Sequence, residues 1–184
     1  MGAVALRAAI EELESLGWDA IAGHDAELSR RLRGGLTAIP GVRLLGPGLD
    51  AETLPIATFV VEGVPRALVA AWLSAEFGIG VRHGCFCAHP YLVRLLGLSG
   101  EDLERFRVAA RHHDRSSLPG AVRASSGIST SAADIERFLA AVRTMATTEC
   151  PLPYVADPLT GDYWPDGHAR PDSGLRPSSA CSPG

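Results

Sequence analysis

Apolar residues recur at three- and four-residue steps in Leu6, Ile10, Leu13 and Leu16, which predicts an amphipathic helix ended by Gly17. A second helix is expected from about Asp19, with Ile21, Leu28, Leu32 and Leu36 on one face and Ile39-Pro40-Gly41 as its stop. Residues 42–45 read as a short strand closed by Gly46-Pro47-Gly48, and residues 56–61, rich in β-branched side chains, as a buried strand. Pro65 suits the first turn of a helix that carries Leu68, Val69, Trp72 and Phe77. A very short strand follows at 79–82, then the loop His83-Gly84-Cys85-Phe86-Cys87-Ala88-His89-Pro90. Helices are predicted from about Tyr91 to Leu96 and again from Ser99, whose hydroxyl can cap the amides ahead of Glu101 and Asp102. Beyond a polar stretch at 112–120, residues 121–125 make a fourth strand. Ser131 with Asp134 resembles a capping box that opens a last helix with Ile135, Phe138, Leu139 and Val142 inward. Trp18 and Trp72 fall at core-like positions of their helices.

Alternating helices and short strands predict an α/β fold, a two-layer sandwich whose sheet is covered by helices on one face. From about Thr147 prolines become frequent and periodicity vanishes. Residues 170–184 are expected to be disordered, whereas Tyr154, Tyr163 and Trp164 can pack onto the domain surface.

Composition narrows the function classes. Apolar content of 46% with 21% charged residues is that of a globular protein, and a formal charge of −4 gives no footprint for nucleic acid or an anionic membrane. No apolar run approaches the ~20 residues that span a bilayer, and no secretory leader is visible at Met1. Cys85, Cys87, Cys150 and Cys181 are too unevenly placed for a disulfide framework, so reduced, cytoplasmic thiols are expected. All 17 basic residues are arginine; the chain has no lysine.

The strongest local signal is the loop after the third strand. Cys87 stands between a strand and a helix start, whose amides and dipole favour a thiolate, and His83 and His89 are near in sequence as proton carriers. Three readings stay open: a sulfur-handling nucleophile, a metal site built from His83, Cys85, Cys87 and His89 at alternate positions, or a small packing residue. His112-His113-Asp114 reads as a solvated helix end.

The segment Gly78-Ile79-Gly80-Val81-Arg82-His83-Gly84-Cys85-Phe86-Cys87-Ala88-His89-Pro90 resembles the cysteine-bearing loop of class V aminotransferase-fold enzymes, nearest the cysteine desulfurase and selenocysteine lyase branch. Val122-Arg123-Ala124-Ser125 with residues 130–142 resembles that family's last strand and helix, and the helix pair leading into Ile39-Pro40-Gly41-Val42-Arg43 is a third match. The resemblance implies the small domain of a fold-type I transferase dependent on pyridoxal 5'-phosphate (PLP), with a small, mostly antiparallel sheet. On that frame residues 1–38 are a helical pair from the end of the large domain, 39–146 the C-terminal small domain and 147–184 a proline-rich tail. It implies that Cys87 accepts sulfur as a persulfide, that Arg123 clamps the carboxylate of a small amino-acid substrate, and that Arg82 supports it near the site mouth. Cys85, His83 and His89 are auxiliary candidates, Cys85 is a thiol extra to the family pattern, and Phe86 stands where desulfurases commonly carry histidine.

The same resemblance sets up a conflict. The family holds PLP on a lysine amine, for which an always-protonated guanidinium is no substitute. The chain is therefore expected to bind no PLP alone, to be inactive alone, and to be a truncated or split product partnered by a PLP-binding large domain or a homologous protomer. Its first helix, exposing an apolar face, predicts homo-oligomers. The alternatives are a non-catalytic sulfur carrier or interaction module, and a transaminase, epimerase or lyase relative whose cysteine does no chemistry.

Overall fold

A computed structural model describes residues 2–112, 114–115 and 118–167 of the chain; the tail expected to be disordered lies outside the described residues. Helix α1 (Gly2–Leu16) ends at Gly17, whose φ of 84° is a conformation that suits glycine. It buries none of its residues and leaves Val4, Leu6 and Ile10 exposed. Helix α2 (Trp18–Thr37) is different along its length. Leu28, Leu32 and Leu36 recur every four residues and are fully buried. Trp18 was expected in the core, but it opens the helix one full stretch before the burying face begins and stays 57% exposed.

The remaining elements are β1 (Val42–Leu45), β2 (Ile56–Val61), α3 (Arg66–Phe77), β3 (Arg82–Gly84), α4 (His89–Leu96), α5 (Gly100–Arg111), β4 (Ala121–Ser125), α6 (Ala132–Thr147), β5 (Tyr154–Ala156) and β6 (Tyr163–Pro165). Strands β1 to β4 form one fully antiparallel sheet in the order β1-β2-β4-β3. The predicted third strand is displaced from 79–82 to Arg82–Gly84. Gly78 adopts the left-handed conformation at the end of α3, and the Ile79 amide donates to the Leu73 carbonyl at 2.9 Å, so Ile79 belongs to the helix cap. Helix α4 likewise starts at His89, earlier than expected; Pro90 is tolerated because first-turn amides have no helical acceptor.

One face of the sheet meets α2, α3 and α6. Ala57, Phe59 and Val61 from β2 and Val122 and Ala124 from β4 pack there with Leu32, Trp72, Phe138 and Leu139. Phe59 and Phe138 meet edge-to-face, centroids 6.0 Å apart. Helices α2 and α6 approach closely at Gly35, where any added Cβ would collide with Leu139. The opposite face carries a smaller cluster of Leu45, Ala121 and Leu92, the last from α4, joined by Val60, Cys85, Phe86 and Leu95. Both capping boxes form: Ser99 accepts from the Asp102 amide and Ser131 from the Asp134 amide, each carboxylate reaching back to the cap.

The segment after α6 is not structureless. β5 and β6 pair as a hairpin, in which Tyr154 donates its hydroxyl to Glu76 of α3 at 3.0 Å.

Candidate functional site

The site grows from strand alternation on β4. Val122 and Ala124 point to the helices, so Ala121 and Arg123 point the other way. Register then sets Arg123 opposite Thr58 of β2 and Arg82 of β3, and directly paired residues share a face. Arg82 and Arg123 therefore stand side by side on the face away from the long helices. His83 pairs with Val122 and lies on the helix side instead.

Arg123 lines a cavity of about 500 Å³ together with Leu45, Ile56, Cys85, Phe86 and Leu92. Its guanidinium lies over the Phe86 ring, 5.1 Å from the centroid, and its Nε is buried without a hydrogen-bond partner. A planar cation steadied on an aromatic face, with an unmatched donor in an apolar hollow, suits a small carboxylate.

The cysteine loop is a tight turn. The Ala88 amide donates to the Cys85 carbonyl at 2.9 Å, and both central residues have positive φ, 53° at Phe86 and 57° at Cys87. That is the mirror-image turn class that glycine and asparagine usually occupy. Holding two other residues there costs about 1–2 kcal/mol each. The turn presses Phe86 inward onto Arg123 and leaves Cys87 exposed, while Cys85 is half-buried and lines the cavity. The site thus brings Arg123, Arg82, Phe86 and the two thiols onto one side of the sheet.

The two histidines do not join them. His83 Nε2 is 3.2 Å from Asp162, just ahead of β6, and its Nδ1 is buried without a partner. Burial pushes the His83 pKa down; Asp162 works against that and Arg66 adds to it. His89 is an exposed residue at the start of α4. The turn also breaks the alternation on which a metal site would rest, and among the described residues no group of three or more His, Cys, Asp or Glu stands ready to hold an ion.

Two arginines escaped the sequence reading. Arg33, 4% exposed, donates to the carbonyls of Pro47, Gly48 and Ala51 and to the Thr53 hydroxyl, tying the loop between β1 and β2 to α2 at the cavity wall. Arg66, the first residue of α3, interacts electrostatically with Cys85 and Asp162 and donates to the Leu118 carbonyl. Neither belongs to a motif; only long-range packing reveals them.

The profile of the aminotransferase class-V family matches residues 1–138. The chain belongs to that family. It is 36% identical over 141 residues to a probable cysteine desulfurase of Pseudomonas putida, covering 77% of this chain and 29% of that protein. A second relative, from Pseudomonas aeruginosa, is 37% identical over 140 residues, covering 76% and 28%. The apo structure of a cysteine desulfurase from Thermococcus onnurineus NA1 superposes with a TM-score of 0.62 at 28% identity, over 79% of this chain and 30% of that one. The chain spans less than a third of the length of these relatives. The β5–β6 hairpin lies beyond the family match.

The family is PLP-dependent, and the residues present test that expectation in two parts. The Arg123 hollow suits a substrate carboxylate. With no lysine among the 184 residues, no side-chain amine can condense with the cofactor aldehyde, so these residues do not fit PLP as its holder. Among the described residues no helix is long and apolar enough to cross a membrane.

Proposed function

We propose that this chain supplies the substrate-carboxylate and sulfur-accepting side of a cysteine desulfurase-type site, the lysine-bearing, PLP-holding large domain coming from outside these 184 residues. On this reading residues 39–146 are the small domain, residues 1–38 the helical pair that docks on the large domain, and residues 147–184 an appendage. Arg123 clamps the α-carboxylate of a small amino acid, with Arg82 beside it adding positive potential. Cys87, exposed on the turn, receives sulfur as a persulfide. The observation that carries the reading is the Arg123 guanidinium, stacked on Phe86 and lacking a partner for Nε, on the same sheet face as the cysteine turn.

Alone, the chain is expected to turn over no cysteine. Its thiols can still take sulfur from a ready-made persulfide, because that exchange needs no electron sink. The test is incubation of the purified chain with L-cysteine persulfide, followed by mass spectrometry of the peptide carrying the turn. One added sulfur atom, located on Cys87 in the unmodified sequence and much reduced in Arg123→Ala, is the expected result. A turn that stays unmodified, with Arg123 still needed to bind an amino-acid carboxylate, would favour a transaminase- or lyase-type relative. Exposed Val4, Leu6 and Ile10 on α1 give a face for the large domain or a second copy, checked by light scattering.

A further inference from the structure

The two thiols of the turn face different surroundings. Cys85 is half-buried, packs on the Leu45, Leu92 and Ala121 cluster, and lines the cavity that holds Arg123. Cys87 is exposed and is not part of that cavity wall. A sulfur atom delivered by a donor whose carboxylate rests on Arg123 therefore meets Cys85 before Cys87.

We propose that Cys85 and Cys87 form a two-step sulfur relay, in which Cys85 takes sulfur inside the cavity and hands it to Cys87 at the surface. This rests on the reading that the turn accepts sulfur, and adds to it the order of the thiols.

Both steps balance without an oxidant or reductant. In the first, the Cys85 thiolate attacks the outer sulfur of a donor persulfide. The new bond joins Cys85 Sγ to that sulfur, the donor's S–S bond breaks, and its electron pair leaves with the donor thiolate, which takes up a proton. In the second, the Cys87 thiolate attacks the same outer sulfur and Cys85 leaves as a thiolate. One S–S bond forms and one breaks each time, and the sulfane sulfur keeps its oxidation state.

Geometry allows the hand-over. Residues two apart lie within about 7 Å at Cα even when extended, and the Cys85–Ala88 turn holds these two closer. A persulfide adds about 2 Å of reach to the donor thiol.

Arg66 borders the start of the turn. Its side chain interacts electrostatically with Cys85 and its Nε is buried without a partner. Gly120 makes room for that placement, since a Cβ there would collide with the Arg66 side chain and approach the Gly84 carbonyl to 2.9 Å.

The test uses two sulfur donors on the purified chain: L-cysteine persulfide, which carries a carboxylate, and inorganic hydrodisulfide, which does not. In Cys87→Ser the sulfur is expected to remain on Cys85. In Cys85→Ser, labelling of Cys87 from L-cysteine persulfide slows by about tenfold or more, while labelling from hydrodisulfide keeps its wild-type rate. Cys85→Ala, with its fold checked by circular dichroism, serves if the serine variant unfolds. If Cys87 is loaded from L-cysteine persulfide at the wild-type rate without Cys85, or Cys85 stays unlabelled in Cys87→Ser, the relay is wrong and Cys87 alone is the acceptor. If neither thiol of the wild-type chain gains sulfur, the underlying reading fails as well.

Discussion

On the helix side of the sheet, Ala57, Phe59, Val61, Val122 and Ala124 close against three helices. On the other side, Thr58, Arg123 and Arg82 stand in a row across the strands beside an apolar cavity of about 500 Å³. The same strand serves both, because alternation turns Val122 one way and Arg123 the other. Packing is concentrated on the first side and the proposed chemistry on the second, so substitutions one residue apart on β4 or β2 should have separable effects.

The sharpest break is at Phe59, which is fully buried and meets Phe138. Phe59→Ala is expected to cost about 3–5 kcal/mol, read from the urea midpoint. One residue along the strand, Thr58 and its register partner Arg123 face the cavity. Arg123→Ala should move that midpoint by less than about 1 kcal/mol while weakening carboxylate-dependent sulfur loading by about tenfold or more, the worth of a charge-assisted hydrogen bond. Arg123→Lys keeps the charge and loses the fork, so it should recover only part of the loading. If Arg123→Ala instead unfolds the chain as readily as Phe59→Ala, the two faces are not separable.

These expectations also mark what was readable in the residues alone. Strands at 42–45, 56–61 and 121–125 were legible because each alternates or runs apolar between strong breakers, and the Ser99 cap and the Ser131–Asp134 capping box because a serine ahead of acidic residues is a local signal; the reciprocal Asp102 bond at Ser99 is a further feature of the structure. The third strand slipped because Ile79 and Val81 look like strand residues, yet pack on the core from a helix cap and loop. Cys85 and Cys87 stand out by their loop between a strand and a helix, Arg82 and Arg123 only through a resemblance; register sets the two arginines on one face, and Cys85 lines the cavity beside Arg123. Sequence distance alone groups His83 and His89 with the thiols. Pairing with Val122 sends His83 to the opposite face, which spacing along the chain does not encode. Arg33 and Arg66 act on carbonyls and a thiol far away in sequence, and carry no local mark.

His83 offers a gentler probe of the helix side. Burial lowers its pKa from the ordinary 6.5, with Asp162 opposing and Arg66 reinforcing the shift. The unfolded chain therefore binds more protons in the window just below 6.5. The neutral imidazole's contribution is whole above that pH and is lost as pH falls through the lowered folded value. Docking of the β5–β6 hairpin should loosen in that window, read by Trp164 fluorescence. His83→Gln should flatten the profile. Sulfur loading on the opposite face should show no matching step.

The two capping boxes extend the contrast to its smallest effect. The motif is the same on α5 and α6, but α6 buries Ile135, Phe138, Leu139 and Val142 whereas α5 buries nothing. Losing the cap of α6 through Ser131→Ala should lower global stability by about 1 kcal/mol, because fraying there strips a helix that holds the core. Ser99→Ala should instead melt only the first turn of α5, leaving the global midpoint within about 0.5 kcal/mol and appearing as faster amide exchange at residues 100–103. Asp102 gives the acid version of that test. Bonds from the Ser99 amide and hydroxyl, then from Arg105, hold its carboxyl down to about 2 from 3.8. A depressed acid stabilises the cap above 3.8 and gives up that contribution as pH falls from there through about 2. The first turn of α5 should therefore stay protected until well below the pH at which free carboxylates protonate, and in Ser99→Ala that protection should end nearer 3.8.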